Sequence, residues 1–167
     1  MMREPQLDKS QDDGALERTV RSFANAQLNS PPGQTFAYSN ANYDTAGLLV
    51  QMVSGESYEK YVKQHIFAPL DMKNSFASQD EALKHGMATG HRWWFGFPVA
   101  TTFPYMRSEL PAGYLISSAE DMAHYVIAEM NGGRYENASV LSSEGMKLTQ
   151  TQPAPNSYAM GWERLAV

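Results

Sequence analysis

A mainly α-helical chain, with a long irregular segment and a few short strands, is predicted by three observations. Apolar residues recur at helical spacing in several stretches, most of them opened by serine or aspartate and closed by glycine or proline. Between residues 74 and 116 the periodicity is broken by Gly86, Gly90, Gly96, Pro98, Pro104, Pro111 and Gly113. Alternating, strand-like runs are few and short.

The elements follow in order. Residues 1–12 are expected to be a flexible N-terminus. Asp12-Asp13 precedes Leu16, Val20, Phe23 and Leu28, which predicts a helix over about 13–27. Asn29-Ser30-Pro31-Pro32-Gly33 ends it, because proline cannot continue a helix and glycine supplies turn geometry; a loop then runs to about residue 41. From Tyr43 to Val53, the residues Leu48, Leu49, Met52 and Val53 predict a buried helix stopped by Ser54-Gly55. Ser57 can cap the next helix, with Tyr58, Tyr61, Val62, His65, Ile66 and Phe67 on one side until Pro69. Ser117-Ser118-Ala119-Glu120-Asp121 introduces a capped helix through Met130, terminated by Asn131-Gly132-Gly133. Ser142-Ser143-Glu144 opens a short helix ending near Thr149, and Tyr158–Glu163 alternates like a strand. Met52, Met122 and Met130 lie at helical spacings and are expected in the core.

Composition narrows the function. The 167 residues fit one domain, and 43% hydrophobic content suffices for a core. A net charge of −5 argues against duplex nucleic acid as a partner, since displacing counterions needs a basic stripe. With zero cysteines there is no disulfide, thiol catalysis or cysteine-bound zinc. No run of about 18 apolar residues exists, so no membrane segment is predicted, and Met1–Pro5 opens no export signal.

The stretch Pro32-Gly33-Gln34-Thr35-Phe36-Ala37-Tyr38-Ser39-Asn40 carries a Tyr-x-Asn tripeptide. Downstream come Tyr43 to Val53-Ser54-Gly55, Tyr58 to Ile66-Phe67-Ala68-Pro69-Leu70-Asp71-Met72, Ala88-Thr89-Gly90-His91-Arg92, and Pro111-Ala112-Gly113-Tyr114 to Met122. In this order the segments resemble class C β-lactamases and the related D-alanyl-D-alanine peptidases and esterases of the penicillin-binding-protein type. Several ordered matches are far more specific than one tripeptide. The resemblance implies the helical half-domain of the β-lactamase/transpeptidase-like fold, in one partial domain over residues 1–167.

Such enzymes use a Ser-x-x-Lys at a helix start, the Tyr-x-Asn on a loop, and a Lys/His-x-Gly strand that closes the site. Only the second is found here. Family members place Ser-x-x-Lys ahead of the tyrosine by more residues than this chain has, and the closing strand would follow Gly161-Trp162. The chain is therefore expected to be a part of such a hydrolase, inactive alone. Three decoys are set aside. Ser57-Tyr58-Glu59-Lys60 spells Ser-x-x-Lys but falls after the tyrosine, where a helix cap is the better reading. Ala88-Thr89-Gly90 lacks the cation of a closing strand. His85 and His91 lack a third ligand, so no metal site is predicted.

By resemblance, Tyr38 is the general base of the Tyr-x-Asn motif and Asn40 binds the acylamino part of a substrate. A serine hydroxyl would attack an amide or ester carbonyl, and water would release the acid. Bringing a phenol from a pKa near 10 to near 7 costs about 4 kcal/mol, which neighbouring cations must supply. On the residues alone, Tyr38 can equally be a packed loop tyrosine and Asn40 a turn residue or helix cap. Arg92-Trp93-Trp94-Phe95, with Phe97, Phe103 and Tyr105, reads either as a substrate-recognition rim or as anchors packing an irregular segment. No cofactor is implied. A small-molecule or peptide acyl substrate is expected in the intact parent, with self-association through an exposed face. The resemblance suggests a bacterial envelope or extracellular setting for that parent, although some esterase relatives are cytosolic. The competing readings are a peptide- or peptidoglycan-binding module and a protein-interaction domain.

Overall fold

The computed structural model describes residues 7–28, 30–31, 34–151 and 158–163. Helix α1 (Ala15–Ser22) continues as a 3₁₀ turn through Asn25, shorter than the expected 13–27. Part of the turn expected to end it, at positions 29, 32 and 33, lies outside the described residues. So do residues 1–6 of the N-terminal stretch. Further along that stretch, Asp8 and Asp12 pair with Arg18, and Arg107 reaches Asp13 at 2.6 Å and Glu59 at 2.6 Å. Arg107 thus ties the chain's beginning to α3 (Tyr58–Val62).

Helix α2 (Asn40–Ser54) ends at Gly55, whose φ of 72° only glycine adopts cheaply. Its burial differs from expectation. The face turned inward carries Asp44 and Gly47, while Leu49, Met52 and Val53 are exposed, Val53 at 87%. The same inversion holds on α6 (Ala119–Met130), whose buried residues are Asp121 and Ala128, with Met122, Val126 and Met130 outside. The expectation of a buried α2 and of core roles for Met52, Met122 and Met130 is therefore corrected. An apolar stripe shows which face of a helix is suited to burial; covering it requires a neighbour, and none lies there among the described residues.

The core instead gathers around Val62, Phe67, Leu70, Met72, Leu110 and Ala128. Past α3 the chain widens into a π-helical turn over Lys63–Phe67, where the Ala68 N–H donates to Lys63 O at 2.9 Å. That turn carries Phe67 inward and leads Leu70 into full burial. Serine caps recur as expected: Ser57 accepts from Lys60 N–H, Ser118 from Asp121 N–H and Ser142 from Gly145 N–H. The last of these opens α7 (Ser143–Gln150).

Within 74–116 the structure is more regular than its breakers suggest. Ser78 caps α4 (Gln79–Lys84) in a Ser-x-x-Glu arrangement. Strands β1 (Gly90–Trp94) and β2 (Phe97–Thr101) form an antiparallel hairpin, and α5 (Leu110–Gly113) follows. A second small hairpin joins β3 (Arg134–Tyr135) to β4 (Ala138–Ser139). An isolated bridge between Phe76 and Ile116 ties the two ends of this stretch. Tyr158–Glu163 is not an extended strand: Tyr158 bridges Glu163 across a turn, and Gly161 has φ 84°. The mainly α class stands, with two small two-stranded sheets. Among the described residues no helix is long and apolar enough to cross a membrane.

Asp121 fastens α6 to the core. Its Oδ2 accepts from the Asn74 N–H at 2.7 Å and from Ser75 Oγ at 2.6 Å in a buried setting. Bonds to a charged acceptor contribute about 1.5–3 kcal/mol each, so Asp121→Ala is expected to lose about 3 kcal/mol. Urea unfolding followed by circular dichroism measures this. A loss under about 1 kcal/mol means those donors find other partners.

Candidate functional site

The loop ending at Ser39 meets α2 in an extended conformation, φ −152° and ψ 126°, which sets Tyr38 and Asn40 on either side of the helix start. Asn40 is the first helical residue. Ser39 occupies the capping position, but its side chain makes no capping bond, and the first turn contains no acidic residue. Among the described residues, no capping side chain or first-turn carboxylate compensates the N–H groups and positive dipole end of α2. Tyr38 is 58% exposed and Asn40 is also exposed. Among the described residues, none hydrogen-bonds the side chain of either.

Tyr38 stands in a group of rings. Tyr43, one turn into α2, lies 5.9 Å from it, and Tyr158 approaches edge-on at 6.1 Å. Tyr158 also packs on Phe36 at 5.4 Å and hydrogen-bonds the Tyr43 hydroxyl at 2.5 Å. This bond, reinforced by burial, pushes the Tyr43 phenol up to about 12. Among the described residues, Phe36, Tyr43 and Tyr158 thus form an aromatic floor around Tyr38. Sequence reasoning assigned Tyr43 to a helix and Tyr158 to a strand, and missed their pairing; a contact across 115 positions leaves no local signal.

Ser57 and Lys60 form a cap. The Lys60 N–H donates to Ser57 Oγ at 3.3 Å, while Lys60 Nζ pairs with Glu56 at 3.0 Å. His85 Nδ1 faces the Glu81 carbonyl at 2.8 Å and its ring stacks on Phe76, whereas His91 turns Nδ1 to the Thr89 carbonyl at 3.0 Å. Among the described residues no three His, Asp or Glu side chains converge as a metal site.

A separate open cavity of about 710 Å³ lies between α4, the base of the β1–β2 hairpin and the segment leading into α6. Phe76, Met87, Phe103, Tyr114 and Ile116 make its apolar walls, and His85 and Ser117 add polar groups. Neither Tyr38 nor Asn40 lines it. The aromatic run divides: Trp93, Trp94, Phe95 and Phe97 are exposed on the hairpin, whereas Tyr105 packs against the core and its hydroxyl donates to Ala77 O at 3.1 Å.

Comparison with known proteins adds to this geometry. The Beta-lactamase family model matches residues 2–165. Protein flp of Staphylococcus aureus (strain MW2) is 30% identical over 148 residues, covering 88% of this chain and 30% of that protein. Penicillin-binding protein 4 of Amycolatopsis lactamdurans is 27% identical over 167 residues, covering 93% of this chain and 43% of that protein. Among solved structures, the octameric penicillin-binding protein homologue from Pyrococcus abyssi superposes with a TM-score of 0.74 and 28% identity, over 87% of this chain and 34% of that one. The chain therefore spans about a third of the length of such relatives.

Proposed function

The chain belongs to the beta-lactamase family, and on that premise we propose that it is the tyrosine-bearing helical part of a serine acyl hydrolase acting on a β-lactam, a D-alanyl peptide or an ester. Tyr38 is the proton-transferring phenol and Asn40 the amide that holds the substrate's acylamino group. The observation that carries this reading is the presentation of both side chains, exposed and hydrogen-bonded by no described residue, at the start of α2. An amide offers both a donor and an acceptor to a peptide-like substrate. A phenol that must work near neutral pH needs about 4 kcal/mol of help. The dipole of an exposed helix end supplies an anion with about 0.3–1 kcal/mol. A lysine is therefore required, and Lys60 is engaged with Glu56. The bare apolar faces of α2 and α6 support contact with further polypeptide or self-association.

The 167-residue chain is expected to show neither nitrocefin turnover nor a covalent adduct with labelled penicillin on a denaturing gel. A stoichiometric adduct on any serine overturns the requirement for a nucleophile from elsewhere. The apolar cavity favours one second reading, a peptide-binding module. Saturable, non-covalent binding of a D-Ala-D-Ala stem peptide that survives Tyr38→Phe and Asn40→Ala would support it over the first.

A further inference from the structure

We propose that the β1–β2 hairpin is a membrane-surface anchor, whose aromatic tip inserts into the interfacial region of a bilayer carrying anionic headgroups. The inference is independent of the catalytic reading. Gly90 pairs with Thr101 and Trp94 with Phe97, leaving Phe95-Gly96 as a two-residue turn. Both turn residues have positive φ, 46° at Phe95 and 83° at Gly96. Such a turn matches the twist of a hairpin but calls for asparagine, aspartate or glycine at its first position. Phenylalanine there is strained and 88% exposed, with its ring edge-on to Trp94 at 5.3 Å.

The other rings follow the strand alternation. Trp94 and Phe97 share one face with Arg92 and Val99, and Trp93 shares the opposite face with Pro98. Both faces are open, with Trp93 75% and Phe97 72% exposed. The strands make their extensive contacts only with each other. A two-stranded hairpin with no covered face is marginally stable in water. A protein partner would cover one face. Rings on both faces and at the turn form a convex knob, which suits a fluid medium able to surround it.

Charge and ring chemistry select the occupant. Residues 82–108 contain no aspartate or glutamate, although the chain has 18 acidic residues in all. Lys84 and Arg92 lie within that stretch, and the Arg92 guanidinium sits 5.1 Å over the Trp94 ring, beside the tip. Tryptophan rings with a neighbouring cation favour the headgroup level of a bilayer, and the cation adds attraction to anionic lipid. Burying several rings in the interface offsets the turn strain.

The test mixes the full chain, in a Trp162→Phe background, with vesicles of equal parts phosphatidylglycerol and phosphatidylcholine. Tryptophan emission is expected to shift to the blue and to be quenched by lipids brominated near the headgroup. Phe95→Asn suits the turn, so it should raise thermal stability yet weaken partitioning, and adding Trp93→Ser should weaken it at least about tenfold. Arg92→Gln should reduce binding to the anionic vesicles and not to phosphatidylcholine alone. Met52→Ser with Val53→Ser, on the bare face of α2, should leave binding unchanged. Unaltered emission with vesicles overturns the proposal. So does equal loss of binding in the α2 variant, or Phe95-dependent dimers in sedimentation without vesicle binding.

Discussion

Gly47→Val is expected to unfold the protein or to cost at least about 4 kcal/mol, beyond the roughly 1–3 kcal/mol typical of overpacking. Gly47 lies where α2 meets α5, and a Cβ placed there would stand 2.2 Å from Pro111 Cγ and 2.6 Å from Pro111 Cβ. Real carbon contacts begin beyond 3 Å, so the helices must separate or the proline ring must move. The ring is rigid, and α5 is held by fully buried Leu110. Gly47→Ala should already cost about 2 kcal/mol, although alanine is the better helix former. Pairing it with Pro111→Gly should recover part of the loss, because the colliding atoms are gone. Urea unfolding of the four species forms a double-mutant cycle, and additive losses would show that the contact does not set the helix spacing.

Asp44→Asn, three residues earlier on the same face, is expected to stabilise the protein at pH 8 by up to about 4 kcal/mol. Asp44 is 0% exposed, and neither carboxylate oxygen has a hydrogen-bond partner among the described residues. Burial, and then the nearby Glu109 charge, push its carboxyl up from 3.8 to about 7. The folded state thus holds a proton that the unfolded state gives up between those two values. Stability should fall as pH rises through that window, and the penalty is complete above about 7. Asparagine has nearly the shape and polarity of the protonated acid without the ionisation, so the variant should match the parent near pH 4 and exceed it at pH 8. Parallel pH profiles for the two proteins would show that Asp44 ionises at no cost.

These two effects lie on the buried face of α2, opposite the apolar residues that led the sequence pattern to predict a buried helix. Leu48, Leu49, Met52 and Val53 indicated a helix correctly, but the close approach to Pro111 of α5 and Tyr58 of α3 is made at Gly47, on the face that also buries Asp44. Periodicity reports the cheapest face to bury in isolation. It carries no information about a partner such as Pro111, whose close approach requires the absence of a side chain. The π-helical turn at Lys63–Phe67 and the Tyr43–Tyr158 bond escaped for the same reason, since each depends on what packs against it.

Local chemistry alone settled the starts of α3 and α6 and the ends of α2 and α6: serine side chains reach N–H groups three residues on, and Gly55 and Gly132 take up positive φ because they lack a Cβ. An ordered set of motifs resembling a known family singled out Tyr38 and Asn40 on a loop, and the structure makes Asn40 the first residue of α2. The tertiary structure decided which faces are covered, which carboxylates are buried, and that the aromatic run stands out on a hairpin instead of filling a core. Backbone preferences act over a few residues and can be read in order along the chain. Burial is a property of pairs of surfaces, and it comes into existence only when distant segments meet.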